Sequence, residues 1–478
     1  MPIADTAARC FDRERFPLIL LFVALLAMAC LMPAQADTWW QLRAGEDIWK
    51  SGRIILVDQF THTVYGQPWP DHEWLTQALF FALYAVGGLP LLSAFCALAV
   101  TLAWGVVGTL TPGRGLWRAV AIGVGAGLTA STWSLRPQVL TMALFAATLW
   151  ILVRRRGTWS LPVLFLVWAN LHGAVAFGGV LVLAATIASL VSRDGFHRRL
   201  IPIGALCLAA TILTPLGWDL WLWMPGSLQR VQLYDVHEWR SPGWDPFGGA
   251  FWLAGAGAIT VMTLRRHHLR SAGPLTLALA TVLFFLMAAR SSRNIPPFFL
   301  CAVPAVTTLL VMPRDRSPAV SRRGAVMANA FLSAAAVVAA VAVVAQAWSS
   351  SWPRLQWNPL APETVAAIAA CDGRLYNRYD EGGYLVWFMK ERPVFIDSRQ
   401  DPFPETLVLE QIRIEQTGDY QRAFMRYQIG CALVADGSPL ARNLSRDGWS
   451  ARHAGSGWTV YGRSAGPPLT SAASVETY

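Results

Sequence analysis

Long apolar runs recur along this chain, with the charges confined to the connections between them, and that alternation limits the fold more than any other feature. The candidate runs are 17–36, 88–111, 118–134, 138–153, 158–172, 174–191, 200–223, 249–264, 272–289, 296–312 and 324–347, about eleven in all. At about 1.5 Å of rise per residue, each is of the order of length that a helix needs to cross roughly 30 Å of hydrocarbon. Within lipid every backbone N–H and C=O must be satisfied by the chain itself, so helix is the expected form. Composition agrees: 54% of residues are apolar, only 14% are charged and 23 are tryptophan, too apolar for an ordinary soluble domain. The expected fold class is an α-helical polytopic membrane protein.

The formal charge of +10 does not point to nucleic acid, because the basic residues are spread between the runs and not gathered on one polar face. Arg9, Arg13 and Arg15; Arg114 and Arg118; Arg154 to Arg156; Arg193, Arg198 and Arg199; Arg265, Arg266 and Arg270; and Arg314, Arg316, Arg322 and Arg323 fall in every second connection. The positive-inside rule makes those connections cytoplasmic, and the N-terminus with them. Loops 37–75 and 225–248, the turns near 136, 172 and 292, and everything after about 348 are then expected outside. Ala34-Gln35-Ala36 has the small-residue spacing of a signal cleavage site, yet later spans need only the first translocation event, so an uncleaved first span is expected. Five of the seven cysteines lie in or beside the apolar runs, where cysteine is usually a small apolar filler. Cys371 and Cys431 share the outer region and can pair in an oxidising compartment.

Three parts emerge: a first span with a large polar loop (1–87), a membrane body (88–347), and a linker with a soluble extracytoplasmic domain (348–478). "DTWWQLRAGEDIWKSG" reads as an amphipathic helix ending at Gly52, its tryptophans suited to the headgroup interface. "WLTQALFFALYAVGG" (74–88) reads as a short helix along the membrane surface. In the tail, "GRLYN", "RPVFIDSR" and "CALVADG" read as strands, 381–390 and 404–428 as helices, and "WSARHAGSGWTVYGR" as a hairpin turning at Gly455 to Gly457. That alternation predicts a small α/β domain.

The outward side collects polar groups that are costly beside lipid. They are Asp37, Asp58, Asp71, His72 and Glu73 in the first loop, Arg136 in "STWSLRPQ", His172 in "NLHGA", Asp235, His237, Glu238 and Arg240 in "YDVHEWRSPGW", and Arg290 and Arg293 in "ARSSRNIPP". Each also has a plain structural role open to it: Asp37 as a helix cap, His172 as a packing residue, the arginines as snorkelling helix ends. No HExxH, GxSxG, P-loop or GxGxxG is present, which leaves zinc proteases, serine hydrolases and nucleotide-driven pumps without support. A carboxylate at the membrane surface can deprotonate an acceptor hydroxyl or amine while arginines, or a divalent cation held by carboxylates, neutralise a departing phosphate. Those residue types suit sugar transfer from a polyprenyl-phosphate donor, with Trp39 and Trp40 placed to stack on a sugar.

The stretch from Asp37 to Leu75, with "LRPQ", "NLHGA", "TPLGWDLW", "EWRSPGW", "SRNIPPF", "YNRYDEGGYLVW" and "RPVFIDSRQD", resembles a group of bacterial multispanning proteins similar to the GT-C superfamily of membrane glycosyltransferases. The resemblance covers nearly the whole chain. It implies a multi-pass protein of the bacterial inner membrane with a periplasmic C-terminal domain. It also implies an inverting transferase that takes its sugar from a polyprenyl-phosphate carrier and passes it to a glycan, lipid or protein acceptor. The acidic residue expected just beyond the first membrane helix, acting as catalytic base or metal ligand, corresponds to Asp37. Arg136 and Arg293 correspond to donor-phosphate contacts, and Asp58, Asp71, His72, Glu73, His172, Arg240 and Arg290 complete the expected substrate site. Two departures stand out: Gln41 occupies a place where group members tend to have His, and no DxD or ExD pair surrounds Asp37. Dependence on Mg or Mn is therefore left open. Two other readings stand beside the transferase: a transporter or flippase of a polar lipid-linked substrate, and a non-catalytic scaffold whose outer domain binds a partner.

Overall fold

The computed structural model describes residues 11–223, 237–311, 323–455 and 457–463. The chain divides into two compact units, one of residues 1–56 and 70–357, the other of 57–69 and 358–478. The second unit thus recruits a piece of the first polar loop.

The first unit is helical. Its helices are α1 (Phe16–Ala29), α2 (Ala36–Ser51), α3 (Trp74–Leu110), α4 (Gly115–Thr129), α5 (Gln138–Arg154), α6 (Leu161–Leu171), α7 (Ala176–Ser192), α8 (His197–Thr211), α9 (Pro246–Leu264), α10 (Ala272–Arg290), α11 (Ile295–Leu310) and α12 (Arg323–Ser349). Every apolar run of the sequence overlaps one of these helices, but the run 200–223 is not one helix: α8 ends at Thr211 and residues 212–218 form turns. Among the described residues six helices are long and apolar enough to cross a membrane, and several others, such as α1 and α6, are shorter. The expected helix over 74–88 and the span that follows it are two helical segments, joined within α3 by a kink at Gly87 and Gly88, whose backbone is non-helical. Gly88 adopts a φ of +62°, which a residue without Cβ reaches at little cost.

Helix α3 is the axis of the unit and packs against α1, α2, α5 and α11, while α10 packs against α7 and α11. The close approach of α2 to α3 depends on Gly45, where a Cβ would stand 2.1 Å from the Gln77 carbonyl oxygen. Helix α2 ends as expected, with Gly52 left-handed (φ 67°) and its N–H bonded to the Ile48 carbonyl. Its tryptophans do not all sit at the lipid interface, however: Trp39 and Trp40 are buried within the protein, while Trp49 is exposed.

The second unit holds a four-stranded sheet of order β1-β2-β4-β3, formed by β1 (Arg374–Tyr376), β2 (Ile429–Ala435), β3 (Ser450–Gly455) and β4 (Trp458–Gly462). β1 pairs parallel to β2, and the other pairs are antiparallel. Helices over Tyr379–Phe388, Glu405–Thr417 and Gln421–Arg426 fall where expected. "RPVFIDSR" does not join the sheet. Its Val394 forms an isolated bridge to Thr61 and exchanges backbone bonds with Phe60 and His62 at 2.9 and 3.0 Å. The partner it needed lies more than three hundred residues upstream, and the pairing is too short to make a strand. Cys371 and Cys431 form a disulfide, with Cα atoms 5.7 Å apart.

Candidate active site

Three hydrogen-bonded clips bring distant turns to one end of the helical unit. At the start of α2, the Leu135 N–H bonds to the Pro33 carbonyl (3.1 Å) and the Thr38 hydroxyl donates to the Leu135 carbonyl (2.8 Å), which sets the turn carrying Arg136 beside Asp37. At the start of α3, the Trp74 indole donates to Asn170 (2.8 Å) and the Thr76 hydroxyl to the Leu171 carbonyl (2.6 Å), which sets His172 beside Glu73. The Ser291 hydroxyl donates to the Glu238 carbonyl (3.2 Å) and the Ser292 N–H to the Arg240 carbonyl (2.9 Å), which joins two short 3-10 turns bearing Glu238 and Arg293.

The side chains from these turns form one chain of polar contacts. Arg136 donates to Asp37 (2.8 Å) and to Glu238 (2.6 Å) through different guanidinium nitrogens, and its Nε reaches Ser134 (3.1 Å). Glu238 also faces Arg293 at 3.5 Å. Arg293 lies over the Trp239 ring at 4.8 Å and within 3.3 Å of His172 Nε2. His172 Nε2 is 3.4 Å from Glu73, whose other oxygen accepts from Gln41. On its far side the ring meets the Thr141 hydroxyl at 2.8 Å, and Thr141 in turn accepts from the Trp168 indole at 3.0 Å. Arg293 can only donate, so in its contact His172 Nε2 is the acceptor, and the neutral ring then carries its proton on Nδ1 and donates it to the Thr141 hydroxyl.

Exposure separates the members. The side chains of Asp37, Glu238 and Arg293 are 25%, 29% and 26% exposed, whereas His172 and Glu73 are 5% and 13%. Three groups open the cluster and two close its floor. Burial, opposed by Arg293, raises the Glu73 carboxyl from an ordinary 4.5 to about 7, and the Asp37 charge adds to the rise. Burial also works against the charges of Arg136 and Glu238, but Glu238 and Asp37 outweigh it at the first, and Arg136 with Arg293 at the second. The arginine is thereby driven further towards its charged form and the Glu238 carboxyl is held below the usual range.

The helix-capping role open to Asp37 is filled by its neighbours: Gln35 is the N-cap and its N–H bonds to the Thr38 hydroxyl at 2.9 Å. Asp37 instead accepts from Arg136 and, at 3.2 Å, from the Trp40 indole. Asp71 lies beneath the cluster, accepting from the Glu73 N–H (3.1 Å) and Gln77 (2.7 Å), and His72 is 3.7 Å from Glu73 with its ring 5.2 Å from that of Trp223. Trp39 is in the core. Arg240 and Arg290 are exposed residues flanking the Ser291 clip. Asp58 does not join the network; it belongs to the second unit, where it is fully buried against Arg399. Asp235 lies outside the described residues. Glu238, which links the two arginines, and Gln41 and Thr141, which fix Glu73 and His172, had no role assigned from sequence. The only hint was the placing of Glu238 beside Trp239 and Arg240 in an outward loop. Among the described residues no group of three or more His, Cys, Asp or Glu is placed to hold a metal ion. The carboxylates of Asp37 and Glu238 face guanidinium groups, so this donor set does not fit a cation.

No family model matches the chain, and no curated protein matches it in sequence. Solved structures do match it in shape. The oligosaccharyltransferase of Archaeoglobus fulgidus, tethered to an acceptor peptide, is similar with a TM-score of 0.56 at 12% identity, covering 89% of this chain and 70% of that one. ArnT from Cupriavidus metallidurans, bound to undecaprenyl phosphate, is similar with a TM-score of 0.54 at 15% identity, covering 95% of this chain and 98% of that one. ArnT in its apo state gives the same TM-score at 17% identity. At these identities the likeness is one of fold alone: a helical body, with six helices among the described residues long and apolar enough to cross a membrane, and a small C-terminal sheet region.

Proposed function

We propose that the chain transfers a sugar from a polyprenyl-phosphate donor to an acceptor on the outer side of a bacterial inner membrane, with Asp37 as the base. The observation that carries this reading is the half-open Asp37–Arg136–Glu238–Arg293 chain at one end of the helical body. Asp37 leaves a quarter of its side chain open beside the charges that would meet a phosphate.

The two arginines are not equivalent. Arg136 is clamped by carboxylates at 2.8 and 2.6 Å and chiefly positions Asp37. Arg293 faces a carboxylate only at a longer 3.5 Å among the described residues, touches the His172 ring at 3.3 Å, and rests on an aromatic face. It is the cation more easily handed to a departing phosphate, a role that suits a guanidinium's forked donors. Asp37 would take the proton of the acceptor hydroxyl or amine as the new glycosidic bond forms, and the sugar–phosphate bond would break with its electrons passing to the carrier phosphate. Single-step displacement of this kind inverts the anomeric centre. The bound lipid phosphates of the fold neighbours support the donor class. The disulfide of the second unit supports an oxidising, extracytoplasmic location for it.

Asp37→Asn keeps the oxygen that accepts from Arg136 and removes the basic carboxylate. Mass spectrometry of envelope glycans from cells carrying this variant as their sole copy should show the product reduced by on the order of 10²–10⁴-fold. An unchanged glycan profile would rule out Asp37 as the base.

A further inference from the structure

The floor of the cluster holds contacts that only one arrangement of protons satisfies. His172 Nε2 lies 3.3 Å from Arg293 Nη2 and 3.4 Å from Glu73 Oε1. A guanidinium only donates, so Nε2 presents its lone pair and the ring proton stays on Nδ1, against the Thr141 hydroxyl at 2.8 Å. Thr141 is held in turn by the Trp168 indole at 3.0 Å, which fixes the ring. An ionised Glu73 would therefore turn one lone pair towards another. The contact is attractive when Glu73 carries a proton on Oε1, and its other oxygen accepts from the Gln41 amide. Two donors, the Glu73 O–H and an Arg293 N–H, then face a single acceptor.

Which donor the lone pair serves depends on Arg293. Its other terminal nitrogen faces Glu238 at 3.5 Å, and its guanidinium rests on the Trp239 ring. When a phosphate draws the guanidinium away, the Glu73 O–H can take over Nε2, so that no buried acceptor is orphaned. A neutral Glu73 also leaves the charge of Arg293 to the phosphate, whereas an ionised one would compete for Arg293 and repel the phosphate. The charges facing Glu73 come from separate elements. Burial and the Asp37 charge favour its proton, Arg293 and Arg136 oppose it, and His72 Nε2 stands 3.7 Å from Oε1.

We infer that Glu73 and His172 form a neutral positioning pair for Arg293: His172 offers its lone pair to the guanidinium until the donor phosphate takes it, and then to the Glu73 O–H. Neither residue makes or breaks a bond to the donor. The inference rests on the reading of Arg293 as the phosphate cation and adds to it a requirement for one proton on Glu73.

The test measures binding of the methyl ester of undecaprenyl phosphate, a diester of constant single charge, to the purified full chain in nanodiscs. Between about pH 6 and about pH 8.5 the wild-type affinity should fall at least about fivefold. Glu73→Gln keeps a neutral donor towards Nε2, so its affinity should change less than about twofold over the same range. Arg293→Gln should bind at least about tenfold more weakly than the wild type at the lower pH. Normal binding by Arg293→Gln would sink the phosphate reading and this inference with it. Weak binding by Arg293→Gln, together with a wild type that does not fall or a Glu73→Gln that falls equally, would leave the phosphate reading standing and overturn the positioning pair. Should Glu73→Gln fail to fold, infrared difference spectra of the wild type decide. A protonated glutamate carboxyl whose C=O band shifts when the diester is added supports the pair, and the lack of a diester-responsive band overturns it.

Discussion

Two arginines in this protein are each held between two carboxylates, and their surroundings set them apart. Arg399 lies between Asp58 and Asp397 with all three side chains fully buried. Its guanidinium is stacked on Phe60 and Trp69 at 4.7 and 4.5 Å. Arg136 lies between Asp37 and Glu238, whose side chains are a quarter or more exposed. The charge pattern is the same. A sealed triad can do nothing but hold segments together, here the 57–69 loop and the C-terminal residues of the second unit. An open one can exchange a partner for substrate.

Several substitutions would break or sharpen that contrast. The largest effect is expected from Arg399→Ala, which strands two buried carboxylates. Removing one partner of a buried ion pair costs about 3–5 kcal/mol, so limited proteolysis should show the second unit digested under conditions where the wild type is intact. Asp58→Asn should lower the melting temperature in detergent through the same triad, whereas Asp37→Asn should leave it within a degree or two. If Asp37→Asn proves the more destabilising, the division into structural and reactive triads is wrong.

Arg293→Gln comes next: losing one charge-assisted contact costs about 1.5–3 kcal/mol, so undecaprenyl phosphate should bind roughly 10–100-fold more weakly in a titration, while Arg136→Gln also displaces Asp37. Equal affinity in wild type and Arg293→Gln would remove Arg293 from the phosphate site. The smallest effect is expected from Glu73→Gln. The wild-type carboxyl, raised from an ordinary 4.5 to about 7 in the fold, keeps its proton where the unfolded chain has lost it. Its contribution to stability is complete below about pH 4.5 and is lost as pH rises through about 7. Glu73→Gln should flatten the melting temperature across that window, and an unchanged pH profile would show that Glu73 titrates normally.

Much of the helical body was legible in the sequence because a hydrocarbon environment leaves so few options. Apolar runs bounded by arginine located the helices of the body other than α2, and the two glycines at 87 and 88 marked the kink between the two segments of α3. Helix α2 and its stop at Gly52 were legible from local chemistry. The burial of Trp39 and Trp40 was not, since an indole suits a lipid interface and a packed core alike. Asp37, Arg136, His172 and Arg293 could be proposed together because intramembrane polar groups need partners. Which acid would pair with which base could not be read, because it depends on turns far apart in sequence. Asp58 illustrates this: its neighbours in the first loop suggested the Asp37 cluster, and its partner is Arg399, separated from it by 341 residues.

The most direct test of the central claim is photolabelling of the full chain in nanodiscs with an undecaprenyl phosphate analogue carrying a diazirine beside the phosphate. We predict that the label falls on peptides containing His172, Trp239 or Arg293, and that Arg293→Gln abolishes it there. Label that spreads along the helices without concentrating at those turns, or that persists at them in Arg293→Gln, would contradict the proposal that these groups receive a lipid phosphate.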